Sequence, residues 1–302
     1  MPRILLSPRR HAFTLIELLV VIAVIALLIG LLLPALGKAR RAGQQTISLA
    51  NVRSIAQAGG VYQQDQKGML PLQPSLDNQF NPVNAWCTWS SWGRHTSGYW
   101  LGRSGGVFEV RAENRALNVY LNPSIGPRTS QPLSSVDSGR TNLTMPVCRD
   151  PSDKISHQRN WPNINTGADA AFSSYDDVGT SYHWQAKWFD QVLFDPQYSG
   201  YSYVRLFEVG ARRFRIADTF QPSRMVWLND EWADIIINNR NDNAREKNGY
   251  GDINRSVLGF MDGHAAYLPI IPGGVSAANS QNPMLVPAYN NDKYCVIFPF
   301  LR

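Results

Sequence analysis

One stretch near the N-terminus limits what this chain can be. Residues 14–33 run Thr-Leu-Ile-Glu-Leu-Leu-Val-Val-Ile-Ala-Val-Ile-Ala-Leu-Leu-Ile-Gly-Leu-Leu-Leu, and Glu17 is their only charged side chain. As a helix, roughly 20 residues rise about 30 Å, the thickness of a hydrocarbon core. A cleaved secretory signal has a shorter apolar region, roughly 7–15 residues, closed by small residues at its cut. Here the run is longer and passes into Pro34-Ala35-Leu36-Gly37-Lys38-Ala39-Arg40-Arg41, which reads as more helix. The expectation is a retained membrane helix. Arg3, Arg9 and Arg10 precede the span, and Lys38, Arg40 and Arg41 follow it. Charge alone therefore leaves its orientation open.

Glu17 has two readings. It sits ionised among the headgroups near the end of the span, or it meets a cation on a neighbouring subunit. A carboxylate within a membrane helix is costly unless neutralised or paired.

Past Pro34, apolar or small residues recur three or four apart at Leu36, Ala39, Gly43, Ile47, Ala50, Val52, Ile55 and Ala56. That spacing makes one helix face. Gly59-Gly60 begins the helix end, and Lys67-Gly68 with Pro71 bars continuation. The predicted helix runs from Phe13 to about Tyr62, roughly 75 Å.

Ala12-Phe13-Thr14-Leu15-Ile16-Glu17 resembles the processing site of type IV prepilins and type II secretion pseudopilins. The resemblance implies that a prepilin peptidase cuts between Ala12 and Phe13 and that the new amino group is N-methylated. It makes Glu17 an assembly residue, facing the N-terminal ammonium of an adjacent subunit. It makes Pro34 a bend in the helix. Ala12 departs from the glycine that most members carry, though a small residue is kept. The resemblance also implies an inner-membrane location with the C-terminal part outside. Its implied partners are other subunits, an assembly platform and membrane lipid, without nucleic acid. Asn51-Val52-Arg53, then Tyr62, then Gly68-Met69-Leu70-Pro71 follow the same family's order of motifs. The implied fold is α+β and pilin-like, with a long N-terminal helix on an antiparallel sheet with long loops. The expected divisions are a leader over 1–12, a membrane half of the helix over 13–34, an amphipathic half over 35–64 and a β-rich domain over 65–302.

The 302 residues are 44% hydrophobic and 17% charged, with a net charge of +6. Without leader and span, about 270 residues remain, enough for one large domain or two small ones. Arg212-Arg213-Phe214-Arg215 is the densest basic cluster beyond the N-terminal region and reads as a solvated strand edge rather than a nucleic-acid stripe. Cys87, Cys148 and Cys295 lack zinc-ligand spacing. In an oxidising compartment they allow one disulfide and one free thiol, with the pairing open. Trp86, Trp89, Trp92 and Trp100 crowd together and read as core aromatics or, alternatively, as a sugar-binding platform. Val107-Phe108-Glu109-Val110 is a strand candidate, as are the segments around Tyr182 and Val226.

Residues 256–268 place apolar runs on both sides of Asp262-Gly263, the signal of a hairpin with a two-residue type I′ turn. The segment resembles part of the family's C-terminal signature, a His, nine intervening residues, then Asp-Gly. The His position is Asp252 here. Asp252, Asn254 and Asp262 offer oxygen donors that could hold calcium, which takes six to eight oxygens. No other cofactor is expected.

For catalysis, the candidate acids are Asp230, Glu231 and Asp234. Neighbours on a strand point to opposite faces, so Asp230 and Glu231 should not share a pocket. His95, His157 and His183 stand isolated in the sequence. No nucleophile elbow or phosphate loop is present. The resemblance thus implies a filament-forming structural subunit, with a membrane-anchored polysaccharide-binding module as the rival reading.

Overall fold

A computed structural model describes residues 14–72, 86–100, 108–125, 143–160, 172–238, 245–271 and 292–296. The chain divides into two compact units, residues 1–43 and 44–302. Helix α1 spans Leu15–Asp65, 51 residues, or about 76 Å at 1.5 Å per residue. It is the one described helix long and apolar enough to cross a membrane.

In the first unit, the apolar side chains from Leu15 to Leu33 are exposed on every side of the helix. Pro34 lies inside it. Proline has no N–H, so the turn before it loses one backbone bond while the helix continues. The helix outlasts Gly59-Gly60 by a turn and ends where Lys67 and Gly68 take positive φ, 54° and 82°. Gly68 N donates to the Gln63 carbonyl at 2.6 Å, closing that end.

In the second unit, the sheet has four antiparallel strands in the order β1-β2-β3-β4. They are β1 (Tyr182–Trp184), β2 (Val226–Asp230), β3 (Arg255–Phe260) and β4 (Ala265–Pro269). The other described helices are α2 (Asn118–Leu121), α3 (Ser174–Val178), α4 (Lys187–Leu193), α5 (Tyr203–Phe220) and α6 (Glu231–Asn238). The unit is thus richer in helix than the expected β-rich domain. Arg212 to Arg215 lie on α5, not on a strand edge. Phe108 to Val110 form no strand.

Both sheet faces are covered. On one, the buried α1 residues Ser48, Val52, Ile55, Ala56 and Gly59 recur every three or four positions. They join a core containing Trp92, Trp184, Trp188, Trp227 and Phe189. On the other, Val226, Leu258 and Phe260 pack with Ile236 and Ile237 of α6 and with Tyr294 and Val296. The β2–β3 register shifts between Val226 and Leu228. This irregularity lets Trp227 and Leu228 both enter the α1 side.

Two glycines permit the close approach of helix and sheet. A Cβ on Gly59 would lie 2.5 Å from the Trp227 ring, and one on Gly259 would lie 2.8 Å from Val52 Cγ1. A Cβ on Gly60 meets nothing within 4 Å.

The C-terminal hairpin forms, but with a three-residue loop. Gly263 N donates to the Phe260 carbonyl and Phe260 N to the His264 carbonyl, both at 3.0 Å. Only Gly263 of the loop has positive φ. A type I′ turn needs positive φ at two residues, whereas one left-handed glycine after a type I turn suits this loop. The three cysteines are buried and none forms a disulfide, so the expected bridge is absent. Cys148 precedes β1 with its carbonyl on Ser181 N, while Cys295 pairs beside Met225 at β2. Cys87 belongs to a separate aromatic cluster with Trp89 and Trp100.

Gly59→Leu should lower stability by about 1–3 kcal/mol through overpacking against Trp227. Gly60→Ala should be neutral or stabilise by up to ~1 kcal/mol. Thermal unfolding of both variants in detergent checks the pair, and equal effects would contradict this packing.

Candidate functional site

At the start of α1, Thr14 and Glu17 cap each other. Thr14 N and Oγ1 both donate to Glu17 Oε2 at 2.8 Å. Glu17 N donates back to Thr14 Oγ1 at 3.2 Å. This is a capping box, in which two helix-end donors are satisfied reciprocally. The Thr-x-x-Glu spacing before an apolar run was its sequence signal, and neither reading of Glu17, as a headgroup charge or an assembly charge, used it. Ala12 and Phe13 lie outside the described residues. The geometry here thus concerns Thr14, Glu17 and Pro34, which one continuous helix carries.

A second polar site lies at the edge of the sheet. A narrow cleft, with room for about one water molecule, is lined by Asp150, Asp153, Ile155, Ser181, Asp230, Glu231 and Trp232. Asp230 and Glu231 share it, contrary to the strand-alternation argument. The strand stops at Asp230 and α6 starts at Glu231, so the period-two rule does not reach across that bond.

Each carboxyl fastens a different element. Asp150 Oδ2 accepts from Ser48 Oγ of α1 at 3.1 Å and from Tyr250 Oη at 2.7 Å. Asp153 accepts from the backbone N–H groups of Ser174 and Tyr175, which open α3. Asp230 accepts from Val257 N and Ala233 N, and from Ser256 Oγ. Glu231 Oε1 accepts from His157 N at 2.7 Å and lies 2.6 Å from His157 Nδ1. Glu231 Oε2 is buried and has no hydrogen-bond partner among the described residues.

The electrostatics follow from burial. Asp150 is held above the usual carboxylate range by desolvation, against the pull of its donors. Asp230 is pushed up to about 7 by burial and by the charge of Asp150. Burial opposes ionisation of Glu231 as well, but His157 beside it draws its carboxyl below the ordinary value. Reciprocally, Glu231 raises the His157 imidazole despite burial.

The histidines read as isolated are engaged. His183 Nδ1 lies 3.1 Å from Asp234 Oδ2, and its Nε2 lies 3.2 Å from Ser174 Oγ. The order matches a hydroxyl–imidazole–carboxylate relay. However, Ser174 and His183 are wholly buried, and the Ser174 hydroxyl also bonds the Thr180 carbonyl at 3.0 Å. Among the described residues the relay lies in the core, where it joins β1 to α3 and α6. Gln158 Nε2 joins the two imidazoles, 3.2 Å from each. His95 Nδ1 accepts from Ala112 N at 3.1 Å.

The proposed calcium donors do not converge. Asp252 and Asn254 precede β3, whereas Asp262 lies past its other end, in the hairpin loop. Six strand residues at about 3.3 Å each separate them by roughly 20 Å. Asp252 Oδ2 accepts from Tyr267 Oη, Asn254 Oδ1 from Glu246 N, and Asp262 Oδ1 from His264 N. Among the described residues, no group of three or more His, Cys, Asp or Glu is arranged to hold a metal ion.

Nor do the tryptophans make an exposed platform. Trp92 is 1% exposed, and Trp89 and Trp100 are 7% exposed each. Trp86 is half-buried and packs its ring 5.3 Å from Trp184 and 5.2 Å from Phe189. Trp92 Nε1 donates to the Tyr182 carbonyl and Trp100 Nε1 to Asp177 Oδ1. Buried rings offer no face to a sugar, so the rival polysaccharide reading loses its candidate surface.

Removing one partner of a buried ion pair costs about 3–5 kcal/mol. His157→Leu should therefore lower stability by roughly 3 kcal/mol, because Glu231 keeps its charge and loses its cation. A loss well under 1 kcal/mol in denaturant unfolding would show that the pair is not a stabilising contact.

Comparison with known proteins touches the first segment alone. The family model described as the prokaryotic N-terminal methylation motif matches residues 7–33. No curated protein and no solved structure matches the chain. The match covers the Ala12–Phe13 junction, Glu17 and the whole apolar run over 14–33. The chain carries a prepilin-type N-terminal methylation motif, and its resemblance to type IV pilin-like proteins and pseudopilins stands on that segment.

Proposed function

We propose that the chain is made as a precursor, cut between Ala12 and Phe13 by a prepilin peptidase, and methylated on the new amino group of Phe13. The mature subunit then polymerises through α1 into a pilus or a type II secretion pseudopilus. The observation that carries this reading is the methylation motif over residues 7–33, leading without a break into a 51-residue helix. A cleaved export signal has a shorter apolar region, roughly 7–15 residues.

The physics of α1 suits two surroundings. Exposed apolar side chains on every side of residues 15–33 are stable in lipid and equally stable among neighbouring helices of the same kind. Glu17 is the one position that distinguishes these states. In lipid it is an isolated charge near the end of the span. In a filament it meets the ammonium of an adjacent subunit, and opposite charges attract strongly where water is scarce. The basic leader lies on the cytoplasmic side in this scheme, with residues 44–302 outside the inner membrane. In this scheme the subunit's role is structural.

Two measurements test the scheme. Mass spectrometry of the protein from cells with a prepilin peptidase should find Phe13 as an N-methylated first residue. An intact N-terminus at Met1 under those conditions would refute processing. Glu17→Ala should insert normally yet disappear from sheared filament fractions, and normal filaments from that variant would sink the assembly role.

A further inference from the structure

Every charge that the structure describes in the first unit, apart from Glu17, lies just past the apolar run. Lys38, Arg40 and Arg41 follow Leu33 closely, and all three are exposed. At 1.5 Å per residue they stand about 8–12 Å beyond the end of the span. The headgroup layer that flanks a hydrocarbon core is roughly 5–8 Å deep on each side. A helical side chain leans toward the N-terminus of its helix, which here is toward the span. The long apolar stems of Lys and Arg extend that reach. Their charged ends therefore fall at headgroup depth.

No carboxylate of the same unit answers these cations. Glu17 is the one acid in residues 1–43, and it is held by Thr14 at the opposite end of the span. Along α1 the next acid is Asp65. Arg41 Nε instead donates back to the Gly37 carbonyl, one turn nearer the span, at 3.3 Å. At about 100° per residue, the three positions spread over roughly 160° of the helix circumference. That is wider than the stripe of about 100° by which a helix faces a single neighbour. Several small anionic groups suit such a spread better than one partner helix does. A guanidinium binds two phosphate oxygens at once, and an ammonium adds a point charge.

We propose that Lys38, Arg40 and Arg41 form a collar that binds anionic phospholipid headgroups in the leaflet beyond Leu33. Glu17 and the collar then mark the two ends of the span, one acid and three cations. The lipid phosphates hold α1 at a fixed depth and oppose its extraction from the bilayer. A helix that leaves lipid for a filament gives up these contacts. The collar presupposes the membrane placement of α1 proposed for this chain, whereas neither cleavage nor polymerisation enters it.

The test places the full chain in phosphatidylcholine vesicles with a trace of spin-labelled phosphatidylglycerol or spin-labelled phosphatidylcholine. The fraction of each probe immobilised at the protein gives the lipid preference. Arg3, Arg9 and Arg10 stay unchanged throughout, so their contribution cancels between variants. The triple variant Lys38→Gln, Arg40→Gln, Arg41→Gln should hold phosphatidylglycerol about fivefold or more weakly than the wild type, since one cation beside an anionic surface gives roughly that factor. Arg40→Lys with Arg41→Lys keeps the charge and should keep most of the preference. A triple variant as selective as the wild type overturns the collar. So does a preference that millimolar inorganic phosphate erases at constant ionic strength, since the cations would then take free phosphate. If the triple variant does not insert, the three single Gln variants replace it, and an unchanged preference in all three overturns the collar. A wild type that inserts without any preference sinks the collar alone. A wild type that fails to float with the vesicles sinks the membrane placement of α1 as well.

Discussion

The approach of α1 to the sheet is the contact on which the rest of the outer unit depends. Gly59 lies against the Trp227 ring, and Gly259 lies beneath Val52 and Leu228. Any side chain at either glycine would push helix and strand apart. This closeness brings Ser48 within reach of Asp150 and Tyr182. It also lets Val52 and Ile55 enter the core without exposure. Interiors packed at this density tolerate little change of volume. A helix long and apolar enough to cross a membrane is thus tied to its own domain by small residues and polar contacts along its second half.

Two kinds of burial share the outer unit. Aromatic rings fill the α1 side of the sheet, with Trp188 and Phe214 edge-to-face at 4.6 Å and Phe189 stacked on Phe207 at 4.2 Å. Polar side chains fill the junctions between loops. Arg115, fully buried, donates to the carbonyls of Trp89, Trp92 and Val178. Asp177 accepts from Ser97, Trp100, Ser156 and Arg159. Long irregular segments bring many backbone carbonyls and N–H groups inside, and each needs a partner. Buried charged residues supply those partners, which explains why so many carboxyls and guanidiniums lie inside a chain with only 17% charged residues.

Much of the N-terminal half was legible because it obeys local rules. A run of apolar residues, a three-to-four spacing and a Lys-Gly terminator each act over a few residues. Helix α1, strands β1 and β2 and the C-terminal hairpin were readable from such signals. The errors share a cause. Asp230 and Glu231 were assigned to opposite faces because a strand was assumed to continue, but α6 begins between them. Arg212 to Arg215 were placed on a strand edge, whereas their helix is recognisable only over the whole of Tyr203–Phe220. Asp252, Asn254 and Asp262 were grouped by sequence nearness, which a strand undoes by extending the chain between them.

By itself, the sequence determined the membrane-length helix, the methylation motif at its head and the position of its one charge. These depend on composition and on spacings of a few residues. Only the tertiary structure decided that the tryptophans turn inward and that the cysteines remain apart. It also decided that carboxyls from the turn at Asp150 and the junction at Asp230 meet in one cleft. Ser48 and Asp150 are 102 positions apart, and no local preference specifies such a meeting. It follows from packing a long helix against a sheet, where burial brings together whatever polar groups the covering segments carry.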